Sequence, residues 1–381
     1  MPTFLLLFFL LYIGFHLYFF LKVKGAIHPG FVADFCLILF LVTMIFAPFI
    51  ARLVEGGGSD SLARIMSFVG YTWMGILFLF FFISLIFDIY RFILYAGGLI
   101  LRKNFSHLTP SLFYTFIIPL TISLCINIYG YFEAKNIQTE RLVIRTTKIP
   151  EEVGKIRIAQ ISDVHLGLIV GEKRLRRITE EVKKADPEML LSTGDLLDAQ
   201  SNNLLIIFQL LREINPVYGK FAITGNHEFY TGLDHALDFT RRAGFTILRG
   251  EGVTVAGLIN VVGVDDPTGK SFGLYKGISE KELLSRVPRN NFTILLKHQP
   301  IVDKDVFELF DLQLSGHTHK GQIFPFSLIT RFYFPLHNGH FRLSEHSSLY
   351  VSRGTGTWGP PIRFLSPPEV TIIDLVHKNM Q

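Results

Sequence analysis

The chain has 381 residues, is 49% hydrophobic and only 18% charged, and its mean hydropathy of +0.37 is too high for one ordinary soluble domain. Its formal net charge is +5, which favours an anionic surface, yet no run of interleaved basic and aromatic residues marks a nucleic-acid track. Nucleic acid is therefore not an expected partner, and part of the chain is expected in lipid.

The apolar excess is concentrated before about Glu133. Phe4 to Leu21, Phe31 to Leu53, Ile65 to about Tyr90 and Leu112 to Phe132 each approach the ~20 apolar residues that carry a helix across ~30 Å of hydrocarbon. Four crossings are expected. The stretch from Arg91 to Leu101 is too short to cross alone and either extends the third helix or lies along the interface. The first span is too long for a signal-peptide core and is followed by others, so an uncleaved anchor is expected. Lys and Arg near the helix ends do not favour one orientation: Lys22, Lys24, Arg91, Arg102 and Lys103 oppose Arg52, Arg64, Lys135, Arg141, Arg145 and Lys148. Cys36 and Cys125 both fall inside spans, so the rest of the chain has no thiol to report its redox compartment. Asp34 and Asp88 lie near helix ends, and Asp88 has Arg91 one turn away as a partner, so a structural role is expected for both.

Beyond the spans, short β-rich runs alternate with helical patterns. The runs are KIRIAQIS, EMLLS, KFAIT, INVVGV, FTILLKH, DLQLS and VTIIDL; the helical patterns cover Glu172 to Ala185, Asn203 to Glu213, Asp234 to Ala243, Ser279 to Val287 and Asp303 to Phe310. Such alternation predicts a buried sheet covered by helices. The domains expected are a multi-span membrane domain over 1–133, a linker and first strand over 134–154, and a globular domain over 155–381. The basic cluster EKRLRR, Glu172 to Arg177, is expected to be a solvated helix face.

The strand ends carry the chemistry. In chain order they deliver Asp163 and His165, then Asp195, then Asn226 and His227, then His298, and finally His317 and His319. Side chains two apart on an extended strand point the same way, so Asp163 and His165 are expected to converge. Gly194, Gly225 and Gly316 each precede one of these residues, where the chain must turn or approach closely. Open α/β sheets gather ligands outside the carboxyl ends of their strands. A single strand-end Asp is ordinarily a turn or cap residue, and a single His after Gly is ordinarily surface or core. A whole series of oxygen and nitrogen donors in this position is not explained by turn chemistry. His235, His337 and His346 lack such a setting, and His340 is only a mild candidate.

The series D-x-H, G-D-x-x-D, G-N-H-E, a lone H and G-H-T-H resembles the calcineurin-like metallophosphoesterase superfamily over roughly Lys155 to Leu375, and GTGTWGPPIRFLSPPEV resembles its membrane-associated bacterial phosphoesterase branch. Lys320 departs from the glycine common in that branch. The resemblance implies a four-layer α/β/β/α sandwich with two divalent metal ions, here behind a bundle of about four transmembrane helices. Asp163, His165 and His319 would bind the first ion, Asn226, His298 and His317 the second, and Asp195 would bridge both. Ligands without thiolates suit Mn, Fe or Zn, with Mn placed first. Two such ions clamp a phosphoryl oxygen and activate a water for in-line attack. His227 would bind neither ion and would protonate the leaving oxygen; Asp198 is either its support or structural. The expected activity is phosphoester hydrolysis, of a phosphodiester or of a lipid-linked phosphate or pyrophosphate, at a bacterial inner membrane. The alternatives are a non-catalytic sensor built on the same domain, a nuclease of the same superfamily and, more remotely, a transporter. Oligomeric state and the side of the membrane that carries the catalytic domain are not legible.

Overall fold

The computed structural model describes residues 2–56, 59–198 and 205–379. Two compact units emerge: Met1–Phe132 with Gly359–Ile362, and Glu133–Trp358 with Arg363–Gln381.

The helical unit contains α1 (Pro2–Ile27), α2 (Phe31–Gly56), α3 (Asp60–Leu101) and most of α4 (Tyr114–Glu133), whose last residue falls in the second unit. All four helices are long and apolar enough to cross a membrane, which marks the chain as a membrane protein. Arg91 to Leu101 continues α3, giving a helix of 42 residues, or ~63 Å at the usual rise per residue. Nothing in RFILYAGGLIL breaks it: the stretch holds no proline, and the helix ends where Arg102 turns left-handed (φ 51°) and its N–H reaches the Gly98 carbonyl. The packed interior is a narrow aromatic seam in which Phe19 meets Trp73, Phe80 and Phe116 at ring separations of 5.3, 4.9 and 5.9 Å. His16 is buried in it and fully satisfied: Trp73 Nε1 donates to Nε2 (3.0 Å), so Nδ1 donates to the Tyr12 carbonyl (2.8 Å). Asp34 pairs with Lys24 at 2.5 Å. Asp88 pairs with Lys22 of α1 rather than with Arg91, the partner expected from spacing alone, because a neighbouring helix brings Lys22 to it.

The second unit holds two six-stranded sheets. The first runs β1 (Gln138–Thr146), β12 (Glu369–His377), β2 (Lys155–Ile161), β3 (Met189–Ser192), β4 (Lys220–Ala222), β5 (Thr246–Ile247); the second runs β10 (Gly339–Arg342), β11 (Ser348–Val351), β9 (Leu312–Ser315), β8 (Phe292–Leu296), β7 (Ile259–Gly263), β6 (Glu251–Val255). Helices α5 (Glu172–Ala185), α6 (Leu205–Arg212), α7 (Asn226–Tyr230), α8 (Leu233–Arg242), α9 (Glu280–Ser285) and α10 (Phe326–Tyr333) connect or cover them. Within the 134–154 segment, read as a linker and first strand, residues 134–137 follow α4 and the strand is β1, which pairs in parallel with β12 and so joins the sheet. One difference from expectation is that the pattern over Asp303 to Phe310 forms a 3-10 turn (Lys304–Leu309) instead of an α-helix.

Strand alternation builds the layers. In β2, Ile156 and Ile158 face the other sheet and share a core with Phe292 and Ile294 of β8; Ala159 and Ile161 face α5, α6 and α8 and pack with Ile178, Val182, Leu211 and Phe239. In β8, Leu295 points the opposite way, toward Leu283 and Leu284 of α9 and Val306. The result is helix, sheet, sheet, helix, the expected α/β/β/α sandwich. Its central strands are buried on both faces, which is why they read as continuous apolar runs rather than alternating ones. Cutting Ile294, fully buried between the sheets, to alanine would cost about 2–5 kcal/mol.

Candidate metal centre

In the first sheet β2, β3 and β4 are parallel neighbours, and in the second β8 and β9 are. Each set therefore ends its strands together. The five ends carry Asp163 and His165, Asp195, Asn226 and His227, His298, and His317 and His319, and the structure brings all eight side chains into one cluster. Ligand-capable atoms of Asp163, His165 and His319 lie within 4.8 Å of one another, as do those of His165, Asp195 and His227, and those of Asp195, His298 and His317. Asn226 joins the last group, its Oδ1 lying 3.1 Å from His298 Nε2 and 3.0 Å from His317 Nδ1.

The backbone achieves this in a way that strand alternation does not foretell. β2 stops at Ile161, and Asp163 and His165 sit beyond it at φ 51° and 52°; Asp195, His317 and His319 are left-handed too, at 52°, 70° and 48°. Convergence thus comes from left-handed turns, a conformation that costs a side-chain-bearing residue energy and that clusters at functional sites. The glycines divide by task. Gly194 itself adopts φ 95°, whereas a Cβ on Gly225 would enter the Asp195 carboxylate and one on Gly316 would enter Ser162 and Asp163.

Buried partners hold the cluster in place. Asp163 accepts from the His317 N–H at 2.9 and 3.0 Å and from Ser162 Oγ at 2.5 Å. His298 Nδ1 donates to the Thr193 carbonyl at 2.7 Å, which turns Nε2 toward Asp195 and Asn226. His227 donates its amide N–H to Asp195 Oδ1 (2.8 Å), and its ring Nδ1 meets Asp198 Oδ1 at 2.6 Å. Glu228 was not singled out from sequence, yet its buried carboxylate accepts the N–H groups of Gly225 (2.7 Å), Asp195 (3.0 Å), Leu196 (2.7 Å) and Leu197 (3.2 Å). It clamps the Asp195 turn to the Asn226 turn. The only hint was its place in GNHE, two residues after Asn226. Arg363 was also missed. Fully buried, it donates to the carbonyls of Gly356 (2.6 Å) and Arg353 (2.7 Å) and lies 3.0 Å from His319 Nδ1. The GTGTW stretch lies against the same loop, with Thr355 N–H to the Ser162 carbonyl (2.7 Å) and Gly356 N–H to that of Asp163 (3.0 Å).

Other candidates go elsewhere. Asp265, at the end of β7, is taken up by Arg249 at 2.7 and 2.6 Å. His340 lies exposed in β10, paired in register with Tyr350. Arg176 of the basic cluster pairs with Glu172, and Arg174 reaches Thr357 at 3.2 Å.

The donor set fits divalent cations. His165 Nε2 faces His319 Nε2 at 3.0 Å and His317 Nδ1 faces His298 Nε2 at 3.2 Å, with buried carboxylates between the pairs. Such opposed nitrogens need a proton or a cation to share. Burial, with the neighbouring His227, lowers His165 to about 4; burial and His298 lower His317 to about 3; burial and Arg363 hold His319 well below the usual range. These are neutral imidazoles with lone pairs to give, as ligands must be. At His227 burial acts in the same direction, but Asp198 and Asp195 outweigh it and raise the ring to about 9.

A four-layer sandwich whose facing sheets end in one carboxylate, amide and imidazole cluster defines the class as an α/β/β/α protein with a candidate metal centre at its strand ends. Comparison with known proteins specifies it. The family model described as calcineurin-like phosphoesterase matches residues 156–321. An uncharacterized metallophosphoesterase of Aquifex aeolicus is 39% identical over 258 residues, covering 68% of this chain and 98% of that protein. One of Campylobacter jejuni is 32% identical over 318 residues, covering 81% of this chain and 83% of its own. A transmembrane protein with metallophosphoesterase domain from Danio rerio is 31% identical over 273 residues, covering 68% of this chain and 62% of the relative. The chain belongs to the calcineurin-like phosphoesterase family.

Proposed function

We propose that the chain is a membrane-anchored phosphohydrolase with two divalent ions, acting on a phosphodiester or on a lipid-linked phosphate or pyrophosphate. The observation that carries this is the position of Asp195, whose carboxylate faces ligand-capable atoms on two sides. Asp195 would serve both ions, with Asp163, His165 and His319 holding one and Asn226, His298 and His317 the other. Bound there, the ions supply Lewis acidity to a phosphoryl oxygen and a water nucleophilic at neutral pH. Mn is the favoured metal among Mn, Fe and Zn, which this oxygen and nitrogen set also suits.

The remaining work falls to the chain's own groups. Asp198 accepts the Nδ1 proton of His227 and fixes that ring, leaving Nε2 to give its proton to the leaving oxygen as the phosphorus–oxygen bond breaks. Glu228 holds the backbone of the Asp195 and Asn226 turns, so neither donor has to be ordered during the reaction. A lipid-borne substrate is supported by the membrane-length helices and by the whole chain's net charge of +5, which favours an anionic surface. Nucleic acid is not part of the reading. The bacterial relatives support placement in a bacterial inner membrane. The test is a screen of the purified full chain with Mn, Fe or Zn against soluble mono- and diesters and against lipid-linked pyrophosphates in vesicles. Cleavage of a diester or lipid phosphate, strongest with Mn, is expected; metal-independent cleavage, or none with any ester, contradicts it.

A further inference from the structure

Among the described residues, the catalytic unit exposes fourteen large apolar side chains, and six of them lie between Phe324 and Tyr333. Within α10 they are Phe326, Leu328, Ile329, Phe332 and Tyr333; Phe332 is 82% exposed and Tyr333 73%, and Thr330 alone in that helix is buried. A water-facing helix does not ordinarily present such a surface. Leu365 adds to the patch, since its neighbour Phe364 bridges to Ile323.

The position of α10 matters as much as its composition. Four residues separate it from the turn His319–Gly321, and Phe334, the residue that follows it, has its ring 5.2 Å from that of His317. Its C-terminal end is thus packed on His317, and its N-terminal end follows the turn that carries His319. Its charge is one-sided as well: no Asp or Glu occurs from residue 312 to 344, while Lys320, Arg331 and Arg342 do. Apolar side chains set among cations without acids match the boundary between acyl chains and anionic headgroups. A bilayer is within reach, because only residues 134–137 separate the last membrane-length helix from β1.

We infer that α10 is a lipid-immersed lip of the metal centre. Its apolar face enters the acyl boundary of the bilayer, and the phosphate of a lipid substrate passes from the headgroup layer along α10 to His317 and His319. The delivery step rests on the lipid-substrate reading above, whereas the immersion does not.

Two measurements on the full chain in phosphatidylglycerol–phosphatidylcholine vesicles separate them. In a Cys36→Ser/Cys125→Ser background, a fluorophore on Phe332→Cys should be quenched several times more strongly by lipid-borne nitroxide than one on Lys281→Cys of α9. Equal quenching, or protection of position 332 by self-association or another protein, overturns immersion. In the second, Leu328→Ser/Phe332→Ser should lower cleavage of a bilayer-resident phosphoester by about tenfold or more, which loss of even one buried apolar side chain would give, while cleavage of a soluble aryl phosphoester stays unchanged. Equal bilayer rates overturn delivery. Wild-type protein that cleaves the soluble ester but no bilayer ester refutes the lipid-substrate reading and delivery with it, and the quenching result still decides immersion.

Discussion

The two units use the same apolar residues in opposite ways. In the helical unit no apolar window is more than 33% buried, and Leu, Ile and Phe point outward around a thin aromatic seam. In the catalytic unit the same residue types fill cores on both faces of both sheets, and the cluster at the strand ends is polar and buried. Solvent makes the difference. Lipid gives apolar side chains no reason to hide, so the first unit is held by close contacts and a few paired charges; water drives them inward, and the catalytic unit gains a rigid frame on which unfavourable turns can be imposed.

The sharpest way to break this contrast is at the shared carboxylate. Asp195→Asn should reduce phosphoesterase activity to background and sharply lower metal content, while the helical unit stays assembled in detergent. Elemental analysis that finds both ions still at full occupancy would remove Asp195 from its place between them. His227→Ala should be milder, keeping the metals but slowing turnover by roughly 10² to 10⁴, the usual contribution of a positioned proton donor. Near-normal turnover would take His227 out of the mechanism.

In the helical unit the Lys22–Asp88 pair offers the matching test. Lys22→Met leaves Asp88 without its cation, and Asp88→Asn leaves Lys22 without its anion. Each should lower the thermal stability of the full chain more than the double variant Lys22→Met/Asp88→Leu, because an unpaired charge costs more than no charge, and metal content should not change. Three equal effects would mean that the pair is merely solvated.

The smallest effect is expected at Asp374, in β12 between β1 and β2. Burial works against its charge, but the Arg157 hydrogen bond at 2.7 Å outweighs it and holds the carboxyl below its usual range. A lowered folded-state pKa adds stability above the unfolded value, and that stability is lost as pH falls through the folded one. Asp374→Asn should therefore be less stable at pH 7, by under ~1 kcal/mol for a pair that solvent still partly screens, with the difference vanishing well below about pH 3.9. A constant difference across that range would contradict the assignment.

What was legible followed the same divide. The donors at five strand ends could be read in order because each follows an apolar run that only a buried strand explains, and α5 spans the expected Glu172–Ala185 because its five buried residues recur at helical spacing. The left-handed turns were not legible, since positive φ at Asp163, His165 and Asp195 is imposed by distant contacts rather than by those residues. Glu228 and Arg363 escaped for a related reason: each acts on backbone that only the tertiary fold brings near. In the helical unit length and apolarity sufficed to find the helices, but Lys22 as the partner of Asp88 lies 66 positions away. Local spacing offered Arg91 instead.

The most direct test of the central claim is metal stoichiometry followed together with turnover. Full-length protein stripped of metal and titrated with Mn should take up two ions per chain, with phosphoester cleavage appearing as the second site fills. Full activity with one ion or none would contradict a shared-carboxylate, two-ion centre.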